Sequence, residues 1–371
     1  MKYITVKILI FTLLIITSFS SCHVGRFFYY NLADVNDYRK FPQSKIESPA
    51  TPFEFIASDR EEDIQLPSYL KTIDMQYFDQ FLEQHKTLSF ILIRNDSILY
   101  EKYFDGYDEA SVLPSFSVSK VFVSALMGIS TDIGKVRSVN DSMTTYIPSL
   151  QQKGLEAVTI GHLLDMRSGI GFEERYKSPF SDMAKYYYGL NLNKYIKTLQ
   201  LTEEPGESYN YISVNSLLLG MAIENAWGKP LPAILEEQLW QPLGMEFDAS
   251  WNLDSKKHRA TKTFCCLNAR ARDFAKLGKL YLQMGNWQGK QLISRNWIEK
   301  SLTIHNNSVD SQGYNYSYQW RVLESGAYFA KGILGQFIYV YPAKNIIIVR
   351  MGKSADNVHW PMFFEAVCSQ L

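Results

Sequence analysis

A serine three residues ahead of a lysine on a helix puts a hydroxyl and an amine on one face. That is the minimum for a nucleophile that carries its own base. Ser-x-x-Lys occurs twice in this chain, at Ser68–Lys71 and at Ser117–Lys120, so spacing alone decides nothing. Ser68 follows Pro67 in a stretch without hydrophobic period and reads as chance. Ser117 stands in a different setting. Pro114 breaks the preceding extended segment, and Val118, Val121, Phe122, Leu126 and Met127 form an apolar run behind it. This predicts a buried helix starting near Pro114 and Ser115, with Ser117 in or near the first turn. Free N–H groups and the helix dipole favour negative charge there. An apolar setting would desolvate the Lys120 amine and suit it to act as a base. The bland alternative is a capping serine beside a lysine that snorkels to solvent. Rival chemistries find less support. There is no G-x-S-x-G, H-E-x-x-H, Walker A or G-x-G-x-x-G motif. No Cys/His spacing suits zinc. The histidines form no local triad, and His162 reads as structural.

The elements that must hold such a pair can be read on either side of it. Leu88–Phe104 is two β-rich runs around Asn95-Asp96, a hairpin. "YNYSYQWRV" and "GQFIYVYPAKNIIIVRMG" read as strands, followed by a closing helix. The middle, from about Ser117 to Gly285, is mostly helical; Phe274, Leu277, Leu280, Tyr281 and Met284 recur at helical spacing ahead of Gly285. Asp74–His85 predicts an amphipathic helix capped by Asp74, with Tyr77, Phe78, Phe81 and Leu82 on one face. Strands at both ends with helices between predict an α+β fold. One antiparallel sheet comes from the two termini, with an inserted helical subdomain and a site in the cleft between them.

Taken in order, "SFSVSKVFVSALMG", "VTIGHLLDMRSGIGFEE", "PGESYNYISVNSLLLGMAIENAWGKPL", "CCLNARARDFAKLGKLYLQMG" and "GILGQFIYVYPAKNIIIVRMG" resemble the serine β-lactamase-related hydrolases. The likeness is to the class C and 6-aminohexanoate-oligomer hydrolase branch and covers roughly residues 87 to 353. The resemblance implies a β-lactamase/transpeptidase-like fold and an acyl-enzyme hydrolase acting on an ester or amide, with no metal or organic cofactor. It places the nucleophile on Ser117, the adjacent lysine on Lys120 and the proton-shuttling phenol on Tyr211, with Tyr209 as the local rival. The oxyanion hole falls on the backbone N–H groups of Ser117 and Ile333. Two positions depart from the family pattern. Ser213 stands where the Tyr-x-Asn motif has Asn, and Asn215 would compensate. The Lys-Thr-Gly strand falls on Ala330, Lys331 and Gly332, so its cation position is alanine. Alternation along a strand turns Lys331 away from the cleft that Ala330 would face. This argues against an efficient β-lactamase or carboxypeptidase and for a neutral substrate, or one whose charge is met elsewhere. Gly332 would let substrate approach the strand edge. Glu173 and Glu174 read as solvated rim acids, with the alternative that one meets a substrate amine. A penicillin-recognising D-amino-acid peptidase or β-lactamase stays open as a second reading, and a catalytically silent cell-wall or partner-binding scaffold as a third.

With 38 basic against 38 acidic residues, nothing points to nucleic acid as a partner; a small ester, amide or peptide-like substrate is the expected one. The N-terminus carries Lys2 and Lys7, then the short apolar run Ile8–Ile16, then small polar residues up to Cys22. This is the layout of a signal peptide, residues 1–21. The cysteine after Phe19-Ser20-Ser21 resembles a lipoprotein box, which implies lipidation at Cys22 and an exported, membrane-anchored envelope protein. Ordinary signal-peptidase cleavage nearby is the alternative. Residues 22–70 are expected to be a tether and N-terminal extension, and 71–371 the hydrolase domain, with its helical subdomain at about 117–268. Cys265, Cys266 and Cys368 read as small buried hydrophobes, a bridge to Cys368 being the alternative.

Overall fold

The structure is a computed structural model that describes residues 22–58, 63–72, 74–151, 154–305, 307–355 and 357–371. The expected signal peptide lies outside the described residues. An eight-stranded sheet forms from both ends of the chain. Its order is Asn315–Ser317, Trp320–Val322, Tyr328–Lys331, Phe337–Tyr341, Ile346–Gly352, Thr87–Arg94, Ser97–Tyr103 and Ile56–Ala57. All neighbours run antiparallel except Ile56–Ala57, which lies parallel to Ser97–Tyr103. The hairpin turns at Asn95 and Asp96, both at positive φ (50° and 65°), the twist a tight hairpin needs. Thr87–Arg94 and Ile346–Gly352 join the two ends, with Ile93 opposite Ile347.

Both faces of this sheet are covered, which is why its central strands are nearly continuous in apolar residues. Leu88, Ile91 and Ile93 face the larger core, while Phe90 and Leu92 face a smaller one. On the larger-core side lies the helix Ala271–Leu282. Its Gly278 sits where a Cβ would come within 3.1 Å of both Ile338 and Ile347, so the helix packs closely on the sheet. On the other side lie Phe78–Gln84 and Trp360–Ser369, which interlock Phe78, Phe81, Trp360 and Phe363. The first of these helices is shorter than expected. It starts at Phe78 with Tyr77 at the N-cap and no side-chain cap, so Asp74 does not cap it. Tyr77 is 74% exposed and does not share the buried face.

A second, four-stranded sheet was not anticipated. Its order is Gln43–Ile46, Ala249–Asn252, Leu267–Ala269 and Leu113–Pro114. It corrects the tether reading of residues 22–70, because the extension supplies a strand to the fold, with Gln43 opposite Asn252. Ahead of that strand, the helix His23–Tyr30 packs on Asp182–Tyr188. Arg26 Nε donates to the Tyr188 carbonyl at 2.7 Å, and Phe27 meets the Tyr188 ring edge-on. Cys22, at the head of this helix, is exposed and unpaired.

Candidate active site

The small sheet positions Ser117. Leu113–Pro114 pairs with Leu267–Ala269, and Ser115 N–H donates to the Leu267 carbonyl at 2.8 Å. The chain then turns sharply through Phe116, at φ +44° and 2% exposed. A bulky residue held in the left-handed region costs roughly 1–3 kcal/mol and persists only where its surroundings impose it. Ser117 follows, in a 3-10 turn Phe116–Val118 that leads into the helix Ser119–Asp132. That helix is buried on all sides from Ser119 to Ser130, which explains the uninterrupted apolar run. Its Gly128 lies under the Trp297 ring, where a Cβ would be 2.7 Å from ring atoms.

Lys120 is 1% exposed and points back at Ser117. Its Nζ lies 3.0 Å from Ser117 Oγ, 3.4 Å from Ser213 Oγ and 2.6 Å from the Phe264 carbonyl. Among the described residues no carboxylate comes within ion-pair distance of it. Tyr211 lies beside it, with Lys120 Nζ 5.3 Å from the ring centroid. Tyr209 and Tyr211 both pack on Tyr316, but the Tyr209 hydroxyl is buried without a partner among the described residues and it is the Tyr211 ring that Lys120 approaches.

Glu174 is the residue that sequence reasoning undervalued. Its carboxylate accepts from Ser213 N–H at 2.7 Å and from Ser213 Oγ at 2.6 Å, closing the start of the helix Ser213–Trp227. Tyr176 hydroxyl donates to the same carboxylate at 2.6 Å. Burial, then the Glu174 charge, pushes the Tyr176 phenol well above its usual range. Glu174 is therefore tied into the Lys120 network through Ser213 and is not a solvated rim acid. Glu173 stays outside the network and pairs with Arg175.

Three expected binding residues are placed differently. Ser213 hydroxyl is already shared between Glu174 and Lys120. Asn215 is fully buried, accepts from Ser168 Oγ at 2.7 Å and reaches Met166 Sδ. Two residues on from Ser213 means about 200° around the helix, so Asn215 turns away from the cleft and does not compensate. Ala330 is 2% exposed and packed in the larger core, opposite Ile338 in the neighbouring strand. The alternation argument separates Ala330 from Lys331 correctly but exchanges their roles. Ala330 faces the core beneath the sheet, while Lys331 ends its strand and lines the cleft. Its Nζ donates to Gln312 Oε1 at 2.8 Å. Burial first, then the Arg321 charge, holds the Lys331 amine below the usual lysine range.

Gly332 has a clear structural cause. A Cβ there would stand 2.9 Å from the Ser115 carbonyl oxygen. The absence of a side chain lets the strand end close directly on the nucleophile turn. Beyond it, Gln336 occupies Gly332 N–H through its carbonyl and Leu334 N–H through its side chain. Ile333 N–H, between them, and Ser117 N–H have no acceptor among the described residues, and Ser117 and Ile333 line the same cleft.

Two cavities meet at Ser117. One, of about 290 Å³, is almost wholly apolar. The other, of about 690 Å³, is polar, and its charged lining residues are Asp310, Arg321 and Lys331. Arg321 is paired with Asp310 at 2.7 Å, which leaves the Lys331 charge unbalanced. The Phe264–Cys266 segment walls the site from below. There the structure joins Cys265 to Cys266 and leaves Cys368 a buried free thiol. The two neighbours are buried, as expected, but bonded to each other, with Cys266 at φ +72°. No cluster of metal-binding side chains occurs among the described residues.

A family description named Beta-lactamase matches residues 75–359. The 6-aminohexanoate-dimer hydrolase of Paenarthrobacter ureafaciens is 25% identical over 337 residues, 84% of this chain and 82% of that protein. Among solved structures, a Bacillus anthracis protein assigned as a 6-aminohexanoate-dimer hydrolase has a TM-score of 0.73 at 21% identity, covering 89% of each chain. A family VIII carboxylesterase has a TM-score of 0.63 at 17% identity, covering 79% of this chain and 94% of that one. The chain belongs to the beta-lactamase family. Within it, it is a serine hydrolase of the kind that cleaves amides and esters, with the expected α+β, β-lactamase/transpeptidase-like fold.

Proposed function

We propose that Ser117 is the nucleophile of an acyl-enzyme hydrolase, with Lys120 and Tyr211 moving its proton. The observation that carries this is the contact of Lys120 Nζ with Ser117 Oγ at 3.0 Å in a buried setting where, among the described residues, no carboxylate reaches ion-pair distance of the amine. Ser117 Oγ attacks the substrate carbonyl carbon, and its proton passes to Lys120 and Tyr211. The carbonyl oxygen becomes an oxyanion held by the N–H groups of Ser117 and Ile333. Each such donor contributes roughly 3–4 kcal/mol to lowering the barrier. The C–N or C–O bond then breaks, and the leaving atom takes a proton from Tyr211. Water then gives a proton to the same groups and attacks the ester on Ser117, and that proton returns to Ser117 Oγ as the C–Oγ bond breaks and the acid departs. Glu174 holds Ser213, and through it the Lys120 amine, in place.

The leaving half of the substrate lies in the polar cavity, on the Tyr211 side. The unbalanced Lys331 charge there favours a leaving group that ends in a carboxylate. That replaces the neutral substrate expected from Ala330. The leaving half of a 6-aminohexanoate-type amide, the kind named for the Paenarthrobacter relative, meets this, and so does that of a peptide ending in a D-amino acid. Comparing hydrolysis of a 6-aminohexanoate-type amide with that of a D-alanyl-D-alanine peptide separates them.

A fluorophosphonate probe followed by mass spectrometry tests the whole reading. Adduct on Ser117, lost in Ser117→Ala, is expected; no adduct on Ser117 would favour the silent scaffold. We further propose that the protein is exported and anchored through a lipid on Cys22. Its exposed, unpaired position supports this. Cys22→Ala should release the protein from the membrane fraction, and retention there would overturn the anchor.

A further inference from the structure

We infer that the apolar cavity beside Ser117 is an acyl subsite for an uncharged aliphatic chain, built in part by the N-terminal extension. This rests on the reading of Ser117 as nucleophile and Tyr211 as proton donor. Both cavities touch Ser117 and Ile333, but Tyr211 lines only the polar one. The half of the substrate that departs with the Tyr211 proton therefore lies on the polar side. The half that stays on Ser117 is directed into the apolar slot.

The slot is shaped for hydrocarbon. Phe116, Met183, Ala184 and Phe264 line it, and each is at most 5% exposed, so this part of its wall is buried, while Leu32 and Lys177 stand at its open rim. Its two buried tyrosines present rings and no free hydroxyl. Tyr187 hydroxyl donates to Asp37 at 2.7 Å and Tyr188 hydroxyl to the Asn31 carbonyl at 2.5 Å. Both acceptors belong to the extension, which also places Leu32 and Ala33 in the wall. Among the described residues no carboxylate lines the slot, and its one charged lining residue is Lys177, which is exposed. An acyl chain ending in an ammonium would lose its water there, gain no counter-ion and meet a like charge. A plain alkyl chain loses only water contact, a gain of about fourfold in binding for each methylene buried.

The test is a series of p-nitrophenyl esters of acetate, butanoate, hexanoate, octanoate and 6-aminohexanoate on the full chain. Expected is a kcat/KM that rises about fourfold per methylene until the slot is full. The hexanoyl ester should exceed the 6-aminohexanoyl ester by roughly a hundredfold. Ala184→Phe should flatten the series by filling the slot. Leu32→Asp, at a position 42% exposed and so safe for the fold, should narrow the gap between the hexanoyl and 6-aminohexanoyl esters. Ser117 labelling by a small fluorophosphonate is followed in every variant. With labelling intact, a flat wild-type series overturns the acyl subsite alone. So does equal turnover of the two six-carbon esters, or a profile that neither variant changes. Without labelling or turnover of any ester, the nucleophile assignment fails and takes this subsite with it.

Discussion

Two lysines stand at the cleft, and they are held in opposite ways. Lys120, in the floor, is 1% exposed and fixed by a serine hydroxyl on either side and a backbone carbonyl beneath. Lys331, in the wall at the sheet edge, is partly exposed and among the described residues has a single hydrogen bond, to the neutral Gln312. A lysine pinned in one place can hand a proton back and forth at fixed distance. A lysine on a loose stem offers charge to whatever arrives. The difference assigns chemistry to the floor and recognition to the wall. It predicts that floor variants lower kcat while wall variants raise KM.

The strongest attempt to break that division is Ser117→Ala. It should lower kcat by about 10⁴-fold or more with little change in substrate binding, measured by single-turnover kinetics and equilibrium binding. Lys120→Ala comes next, with kcat down by roughly 10³-fold; a mainly KM effect would place Lys120 with the wall. Glu174→Gln should cost about tenfold to a hundredfold in kcat, since it disturbs a carboxylate that accepts three hydrogen bonds. Glu174→Asp should recover part of that loss if positioning is the role. The smallest effect belongs to Lys331→Ala. KM should rise about tenfold for an amide with a carboxylate in its leaving half, and p-nitrophenyl acetate should be unaffected. The sign with pH follows from burial. Because the folded protein holds the Lys331 amine below the usual lysine range, its charge disappears earlier as pH rises. KM for the carboxylate substrate should therefore climb at a lower pH than an exposed lysine would produce, and this climb should vanish in Lys331→Ala.

The floor was legible in the sequence and the wall was not, for a physical reason. Ser117 and Lys120 are one helical turn apart, so local spacing and the apolar run behind them place both. The hairpin at Asn95-Asp96 announces itself in the same way, through residues that tolerate positive φ. Tyr211 was reached only through the resemblance, because one phenol in a chain of 24 tyrosines carries no local signal. Glu174 acts on Ser213 across 39 positions, and no periodicity reports such a contact. Lys331 was assigned by alternation, which gives opposite faces but does not say which face is the cleft. The extension failed for a related reason. Its two short strands, Gln43–Ile46 and Ile56–Ala57, pair with Ala249–Asn252 and Ser97–Tyr103 and have no pattern of their own to read.

The pairing of Thr87–Arg94 with Ile346–Gly352 also has a consequence in time. The first of these strands is synthesised roughly 250 residues before the second, an interval of about 12–50 s at ordinary translation speed. Through that interval one edge of "TLSFILIR" is covered by its hairpin partner and the other has nothing to bond to. An apolar strand with a bare edge is a template for pairing with a second nascent chain. Closure of the sheet depends on contacts between residues roughly 250 positions apart, the slow kind to form. The protein is thus most exposed to aggregation before its last strand exists, and a helper that shields one strand edge would raise its yield more than any change at the active site.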